Sequence, residues 1–491
     1  MAKPLSILFV ASEVQPFIKV GGMADVAFSF SMAMRELGHD MRVMVPKYGG
    51  ISERRNRIHE INRLRDIPIP VGSHSDPATV KSSSIFNPRY KVQAYITTNL
   101  KYFDSKKGIY NDIKTGSPYP DNLERFIFFS RSVIETCLKL EWFPDIIHCN
   151  DWHTALVPAM AKVLFPKEFK KTNFVYTIHN LSNAGELPMN QWELLGMPNN
   201  VKQYFEHNKK INFTKGALLY SDYITTVSPT YAKELIADGK LSGDLNLLLK
   251  KNSKFFKGIL NGLETWSWSP KTDPCIHTKL EDNFAAYKTA NKQSLLSKFG
   301  LIYNENTPVI GLITRINEQK GIPLLISSLD NIMKENVQIV ILGEGTLEMK
   351  NKLKDSASKY SKKIKVKFGF DEELAHLIEA GSDMFLMPSL TEPCGLNAIY
   401  SLAYGTVPIV RKTGGLSDIV SEYSTENKKG NGFVFVNFKS AELVAAVKKA
   451  LTQFKSKSIW QKIVENGMSC DFTWSKSALQ YDEIYHNLMK D

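Results

Sequence analysis

Short runs of apolar and β-branched residues punctuate the chain at 6–11, 41–45, 145–149, 174–178, 223–227, 309–313, 338–342, 384–387 and 406–410. Each is followed by a polar turn and then by apolar positions at helical spacing. The runs are apolar throughout rather than alternating, so they predict strands buried on both faces, in parallel sheets covered by helices. The rhythm lapses at 262–290. There Asn261-Gly262 closes one series, the segment 266–275 with Pro270 and Pro274 has no period, and alternation restarts at Val309. The pattern predicts an α/β protein of two doubly wound domains, 1–262 and 263–470. Such sheets bind ligands at the carboxyl ends of their strands, which directs attention to the residues that follow each run.

Composition agrees and removes several classes. A chain of 491 residues exceeds what one hydrophobic core usually serves. Charged residues make up 23% and no tract is dominated by one type, which excludes disordered, collagenous and coiled-coil proteins. No stretch approaches the roughly 18 apolar residues of a membrane span, and the run at 5–11 meets Glu13 at once. With no basic segment ahead of a cleavable apolar core, no secretory signal is expected. The five cysteines, Cys137, Cys149, Cys275, Cys394 and Cys470, form no CxxC pair. They predict reduced thiols in a cytoplasmic protein, without a disulfide framework. His148, His153 and His179 match no metal-binding spacing, so no metal is expected. The net charge of +12 lies largely in lysine-rich stretches such as 350–367, which read as solvated helix. No nucleic-acid module accompanies them, and the charge suits an anionic small substrate.

One sequence occurs twice in related form. Lys19-Val20-Gly21-Gly22-Met23-Ala24-Asp25 is echoed by Lys412-Thr413-Gly414-Gly415-Leu416-Ser417-Asp418. Each follows a strand and opens a helical pattern. Paired glycines permit positive φ and close backbone approach, and a helix start offers free N–H groups to an anion. The pair therefore predicts two loops closing on one diphosphate, although either alone could be an ordinary strand-to-helix turn. Other predicted strand ends carry Glu13, then Asp151-Trp152-His153, then His179-Asn180. That mixture suits a polyhydroxylated substrate. Arg315 and Lys320 follow the strand at 309–313 and supply a fork and a point charge for a diphosphate. Glu392 lies in Pro388-Ser389-Leu390-Thr391-Glu392-Pro393-Cys394-Gly395-Leu396, an irregular loop that holds a carboxylate at some cost unless something uses it. Gly343-Glu344-Gly345 lacks the third glycine of a dinucleotide fingerprint, so an oxidoreductase is set aside.

These residues together resemble the bacterial glycogen synthase and plant starch synthase family. The resemblance is carried by the stretch 19–26, Asp151-Trp152-His153, Thr177 to Leu181, Thr225 to Tyr231, Gly258 to Gly262, Lys320-Gly321, Asp383 to Ser389, Glu392 to Leu396, Tyr404 to Val410 and Thr413 to Leu416. It implies a GT-B fold, two Rossmann-like domains facing a deep cleft, with the helical pattern of 471–491 crossing back to the first. It also implies transfer of glucose from ADP-glucose to the non-reducing end of an α-1,4-glucan, with retention and without a metal or other cofactor. Lys19, Gly21, Gly22, Asp25, Arg315, Lys320, Thr413, Gly414 and Gly415 would bind the ADP moiety, with Phe370 against adenine. His179, Asn261, Glu392, Cys394, Gly395 and Leu396 would surround the transferred glucose, with His179, Glu392, Arg315 and Lys320 carrying the catalysis. Glu13, Asp151, Trp152, His153 and Asn180 would line the acceptor channel. Loss of Lys320 is expected to cost turnover but hardly any stability. The chain departs from the family at Met23, at Asn183-Ala184 in place of Tyr-Gln, at Glu264, at Asn397, and across 236–250, which lacks the usual glycines. A UDP-glucose-using GT-B transferase and a catalytically silent glucan-binding homologue are the alternatives.

Overall fold

The computed structural model describes residues 3–490 apart from 114, 238 and 240. The chain divides into two units. The first runs to Val227, resumes over Ala232–Gly262 and is completed from Trp474 onward, and the second comprises Ser228–Tyr231 and Leu263–Thr473.

In the first unit the strands are β1 (Ser6–Val10), β2 (Asp40–Pro46), β3 (His59–Glu60), β4 (Ile67–Val71), β5 (His74–Phe86), β6 (Lys91–Thr98), β7 (Ile146–Asn150) and β8 (Asn173–Ile178). A small antiparallel ribbon, β9 (Glu186–Pro188), β10 (Glu206–His207) and β11 (Lys210–Asn212), precedes β12 (Tyr223–Thr226) and β13 (Phe256–Gly258). The main sheet runs β13-β12-β8-β7-β1-β2-β6-β5-β3, with β4 against β5. From β13 to β6 every pairing is parallel, whereas β5 joins β6, β4 and β3 antiparallel. The parallel part matches the fully apolar runs. The antiparallel extension is an addition to the purely parallel sheet expected. Its strands are half-buried, as in β4, where Ile67, Ile69 and Val71 point inward and Pro68 and Pro70 outward, so they lack the apolar density of a doubly covered strand.

Helices cover the sheet by the same logic. In Asn122–Leu140 the buried Phe126, Phe129, Val133, Ile134 and Cys137 recur at helical spacing. The last helix, Trp474–Leu488, buries Trp474, Ala478, Tyr481 and Tyr485. It packs on helix Gly22–Glu36, with Tyr481 and Trp474 edge-on to Phe30 at 5.0 and 5.9 Å. Tyr485 meets the buried His148 (2.6 Å) and Asp482 meets His39 (3.0 Å). Gly262 is required at this junction, because a Cβ there would lie 2.5 Å from the Trp474 backbone.

The second unit is built on β14 (Val309–Ile316), β15 (Gln338–Gly345), β16 (Ile364–Phe368), β17 (Met384–Met387), β18 (Val407–Arg411) and β19 (Phe433–Phe435). They form an all-parallel sheet in the order β16-β15-β14-β17-β18-β19. Leu312, Ile341, Leu386 and Ile409 from the sheet share a core with Leu325, Leu329, Leu443 and Val447 from flanking helices. Within the parallel part of each sheet the strand order reverses once, at β1/β7 in the first unit and at β14/β17 in the second, and such reversals open a crevice at the carboxyl ends. Among the described residues no helix is long and apolar enough to cross a membrane, and Cys137, Cys149, Cys275, Cys394 and Cys470 are all unbridged.

Candidate active site

In the second unit, the loops that leave β14, β17 and β18 interlock at the sheet reversal. Arg315 is the exposed penultimate residue of β14, and its guanidinium makes no ion pair among the described residues. The chain then turns, the Lys320 N–H donating to Asn317 (3.0 Å). Lys320 Nζ reaches both carboxylate oxygens of Glu392 at 2.7 Å, and Ser389 Oγ donates to the same carboxylate at 2.9 Å. Glu392 is buried and Lys320 nearly so. Gln319 and Arg411 fix the loop between them. The Gln319 carbonyl accepts from Leu390 N–H (2.8 Å), its amide donates to Thr391 (3.0 Å), and Arg411 donates to the carbonyls of Ser389 (2.7 Å) and Leu390.

The Thr413-Gly414-Gly415 loop packs onto the same segment. Gly415 N–H donates to the carbonyl of Glu392 (3.0 Å), and added Cβ atoms at Gly414 and Gly415 would lie 2.0 and 1.9 Å from the carbonyls of Glu392 and Cys394. Gly414 has φ +45°. The glycines of this loop are therefore demanded by contact with the Glu392 loop, a requirement that the sequence did not reveal. Cys394 and Thr413 are buried beside them, and Gly395 at φ +88° caps the helix Leu396–Ala403. Phe370 follows β16 and is 64% exposed. Asn397 donates to the Ile313 carbonyl at 2.7 Å, so this departure from the family ties the helix to β14.

In the first unit, Glu13 and Asp151 both serve backbone. Glu13 accepts from Val20 N–H (2.6 Å) and Gly21 N–H (3.1 Å), while Lys19 pairs with Asp25 at 2.8 Å. Gly21 is extended at φ −144°, so the positive φ expected of the first glycine pair is absent there. Asp151, at φ 54°, accepts from the N–H groups of His179 (2.7 Å) and Asn180 (3.3 Å), tying the ends of β7 and β8. Asn150 donates to the carbonyls of Val10 and His148, which leaves its oxygen to accept from His179 Nε2 at 2.9 Å. Burial pushes the His179 pKa down to about 3. The ring is therefore neutral, with its proton on Nε2 and Nδ1 left as an acceptor, an assignment that follows from the hydrogen-bond network.

The acceptor residues expected from the sequence have different surroundings. Trp152 lines a cavity of about 560 Å³ together with Leu181, Asn183, Ala184, Glu186 and Asn212. His153 stacks under Trp152 (4.1 Å) among Tyr110 and Phe126, and burial followed by the charge of Arg125 pushes its pKa down to about 3. Glu13 and Asp151 are engaged as described, and Asn261 is buried. Asn183-Ala184, where the chain departs from the family, stands in the wall of the Trp152 cavity.

Among the described residues, Asp273, Cys275 and His376 are the grouping closest to a metal-ligand set. Asp273 accepts from His376 at 2.7 Å and from the Tyr404 hydroxyl. That spacing is shorter than the about 3.3 Å between two light-atom ligands of a tetrahedral zinc. The trio is a hydrogen-bonded knot, with Trp268 stacked on His376 at 3.7 Å. Sequence reasoning missed Gln319, Ser389, Arg411 and Asn150. Arg411, directly before the second glycine loop, carried the strongest available signal.

Two sheets with strand-end crevices, one bearing cations and a buried carboxylate beside a glycine loop, define a glycosyltransferase of the GT-B fold. A starch synthase catalytic domain profile matches residues 6–250 and a glycosyl transferases group 1 profile residues 296–466. The chain is 36% identical to a glycogen synthase of Chlorobaculum parvum over 98% of each chain, and 38% identical to one of Bacillus cereus over 99% of this chain and 100% of that one. It superposes on the catalytic domain of starch synthase IV from Arabidopsis thaliana bound to ADP and acarbose, with a TM-score of 0.91, 29% identity and full coverage of both chains. A sucrose-phosphate synthase from Thermosynechococcus elongatus shares the fold (TM-score 0.61, 16% identity, 99% of each chain). The chain belongs to the glycogen and starch synthase family.

Proposed function

We propose that this enzyme moves glucose from ADP-glucose to the non-reducing end of an α-1,4-glucan, with retention and without a metal. The observation that carries this reading is the Lys320–Glu392 pair at the β14/β17 reversal, with Arg315 exposed near the end of β14. Breaking the sugar–phosphate bond builds positive charge on the anomeric carbon and negative charge on the departing diphosphate. Arg315 and Lys320 stabilise that anion as side-chain cations, where other transferases place a divalent ion. Glu392 already accepts three hydrogen bonds, which supports a binding role for its carboxylate over nucleophilic attack. The neutral His179 offers Nδ1 to a sugar hydroxyl without adding charge near the developing cation. The Trp152 cavity, with an indole face and amide and carboxylate groups, suits the glucan. The ADP in the Arabidopsis starch synthase IV structure supports the adenine nucleotide, and the unbridged thiols support a cytoplasmic enzyme.

The test is direct. Purified enzyme is incubated with glycogen and either ADP-glucose or UDP-glucose, and nucleotide release is followed. Faster release from ADP-glucose, dependent on glycogen, is expected. Preference for UDP-glucose would replace the donor, and glycogen binding without turnover would replace the enzyme reading by a silent glucan binder.

A further inference from the structure

Glu13 stands one short loop before the first helix, and its surroundings give it a task other than lining an acceptor channel. Glu13 is 3% exposed, and one of its carboxylate oxygens accepts from both Val20 N–H at 2.6 Å and Gly21 N–H at 3.1 Å. These donors immediately precede Gly22–Glu36, a helix of 15 residues whose first N–H groups and dipole attract anions. On the same turn Lys19 is paired with Asp25 at 2.8 Å. Gly21 completes the arrangement, since a Cβ there would come within 3.3 Å of the other Glu13 oxygen.

The groups facing Glu13 are few. Asp25 comes from the helix and Lys19 from the loop. Tyr48, after β2, donates its hydroxyl to the Ser12 carbonyl (2.8 Å), and Tyr110 shares a hydrogen bond with Ser12 Oγ (2.7 Å). Both phenols feel the Glu13 charge, and buried Arg125 interacts with both of them. Burial pushes the Glu13 carboxyl up to about 7, opposed by its two backbone donors, raised further by Asp25 and lowered by Lys19.

We propose that Glu13 is the positioning residue of the donor loop: one carboxyl oxygen gathers Val20 and Gly21 so that Lys19 and the helix start receive the donor diphosphate, and donor binding draws a proton onto the other oxygen. The proton comes from solvent and sits on the oxygen that accepts neither backbone bond, so both bonds survive its arrival. A diphosphate at the helix start repels an ionised Glu13, and therefore binding favours the protonated form. The inference rests on the proposed ADP-glucose reaction.

Glu13→Gln keeps the accepting oxygen and removes the charge, whereas Glu13→Ala removes both. Initial rates are measured for wild type and both variants at about pH 6.5 and about pH 8.5, varying ADP-glucose, whose diester phosphates do not titrate in that interval. For the wild type, KM for ADP-glucose should rise severalfold, up to about tenfold, at the higher pH. For Glu13→Gln it should be nearly flat and match the wild type at the lower pH. Glu13→Ala should raise that KM about tenfold or more at both pH values, with a smaller change in kcat and none in KM for glycogen. A Gln variant that keeps the wild-type pH dependence, or an Ala variant altered only in KM for glycogen, overturns the proposal. If Glu13→Ala does not fold, the wild-type and Gln comparison decides. A wild type inactive with ADP-glucose refutes the donor assignment instead, and the same comparison then runs with the sugar nucleotide it does use.

Discussion

Replacing Lys320 by alanine tests the second unit most sharply, because the sequence and the structure predict different outcomes. As a polar group at a crevice, Lys320 should be dispensable for folding. In the structure it is the cation of a pair whose side chains are 16% and 7% exposed. Removing one member of a buried pair costs about 3–5 kcal/mol, since the other charge is left without compensation. Here Ser389 still donates to Glu392 and neither group is wholly dry, which places the loss near about 2–3 kcal/mol. For a unit of roughly 200 residues this corresponds to a fall in Tm of about 5–10 °C. Thermal unfolding followed by calorimetry reads it directly. The double variant Lys320→Ala with Glu392→Gln removes the stranded charge and should recover more than half of the loss. Turnover should fall about a hundredfold or more in the single variant, as for other lost transition-state charge partners. A Tm within about 1 °C of wild type, or a double variant less stable than the single one, refutes the buried-pair argument.

Gly415→Ala should lower turnover about a hundredfold, because a Cβ 1.9 Å from the Cys394 carbonyl forces the Glu392 loop to shift; a fully active variant would show that the loop yields freely. His153, held near 3 against an ordinary 6.5, contributes stability that is present above pH 6.5 and lost as pH falls toward 3. The stability gap between wild type and His153→Gln should therefore narrow by about 2 kcal/mol from pH 7.5 to pH 5 in denaturant titrations, and a constant gap would contradict a buried neutral ring. EDTA should leave activity unchanged; activity lost to EDTA and restored by Mg²⁺ would overturn the metal-free mechanism.

The parallel strands were legible because doubly covered strands are apolar along their whole length, as at Met384–Met387. The antiparallel extension was not, since β4 alternates with proline on its outer face. At the site, residue types mark the strand ends but not which groups are already paired. Glu13 and Asp151 look alike as carboxylates after strands, and only the fold reveals that both accept backbone N–H groups. The glycine echo carries the same ambiguity. A doubled glycine is consistent with approach to a phosphate or to another loop, and at Gly414-Gly415 a neighbouring carbonyl fills the space.

The last helix has a consequence for how the chain is made. The first unit lacks a wall of its core until Trp474, Tyr481 and Tyr485 emerge, because these residues cover Phe30 and His148. On the ribosome the usual order is thereby inverted: the N-terminal unit is synthesised first yet finished last, while almost all of the second unit is contiguous and can fold as soon as it is released. A chain that stopped short of Trp474 would leave the first unit open, exposing an aromatic cluster to the chaperones and proteases that survey new chains. The packing of residues made early thus waits on residues made after the second unit.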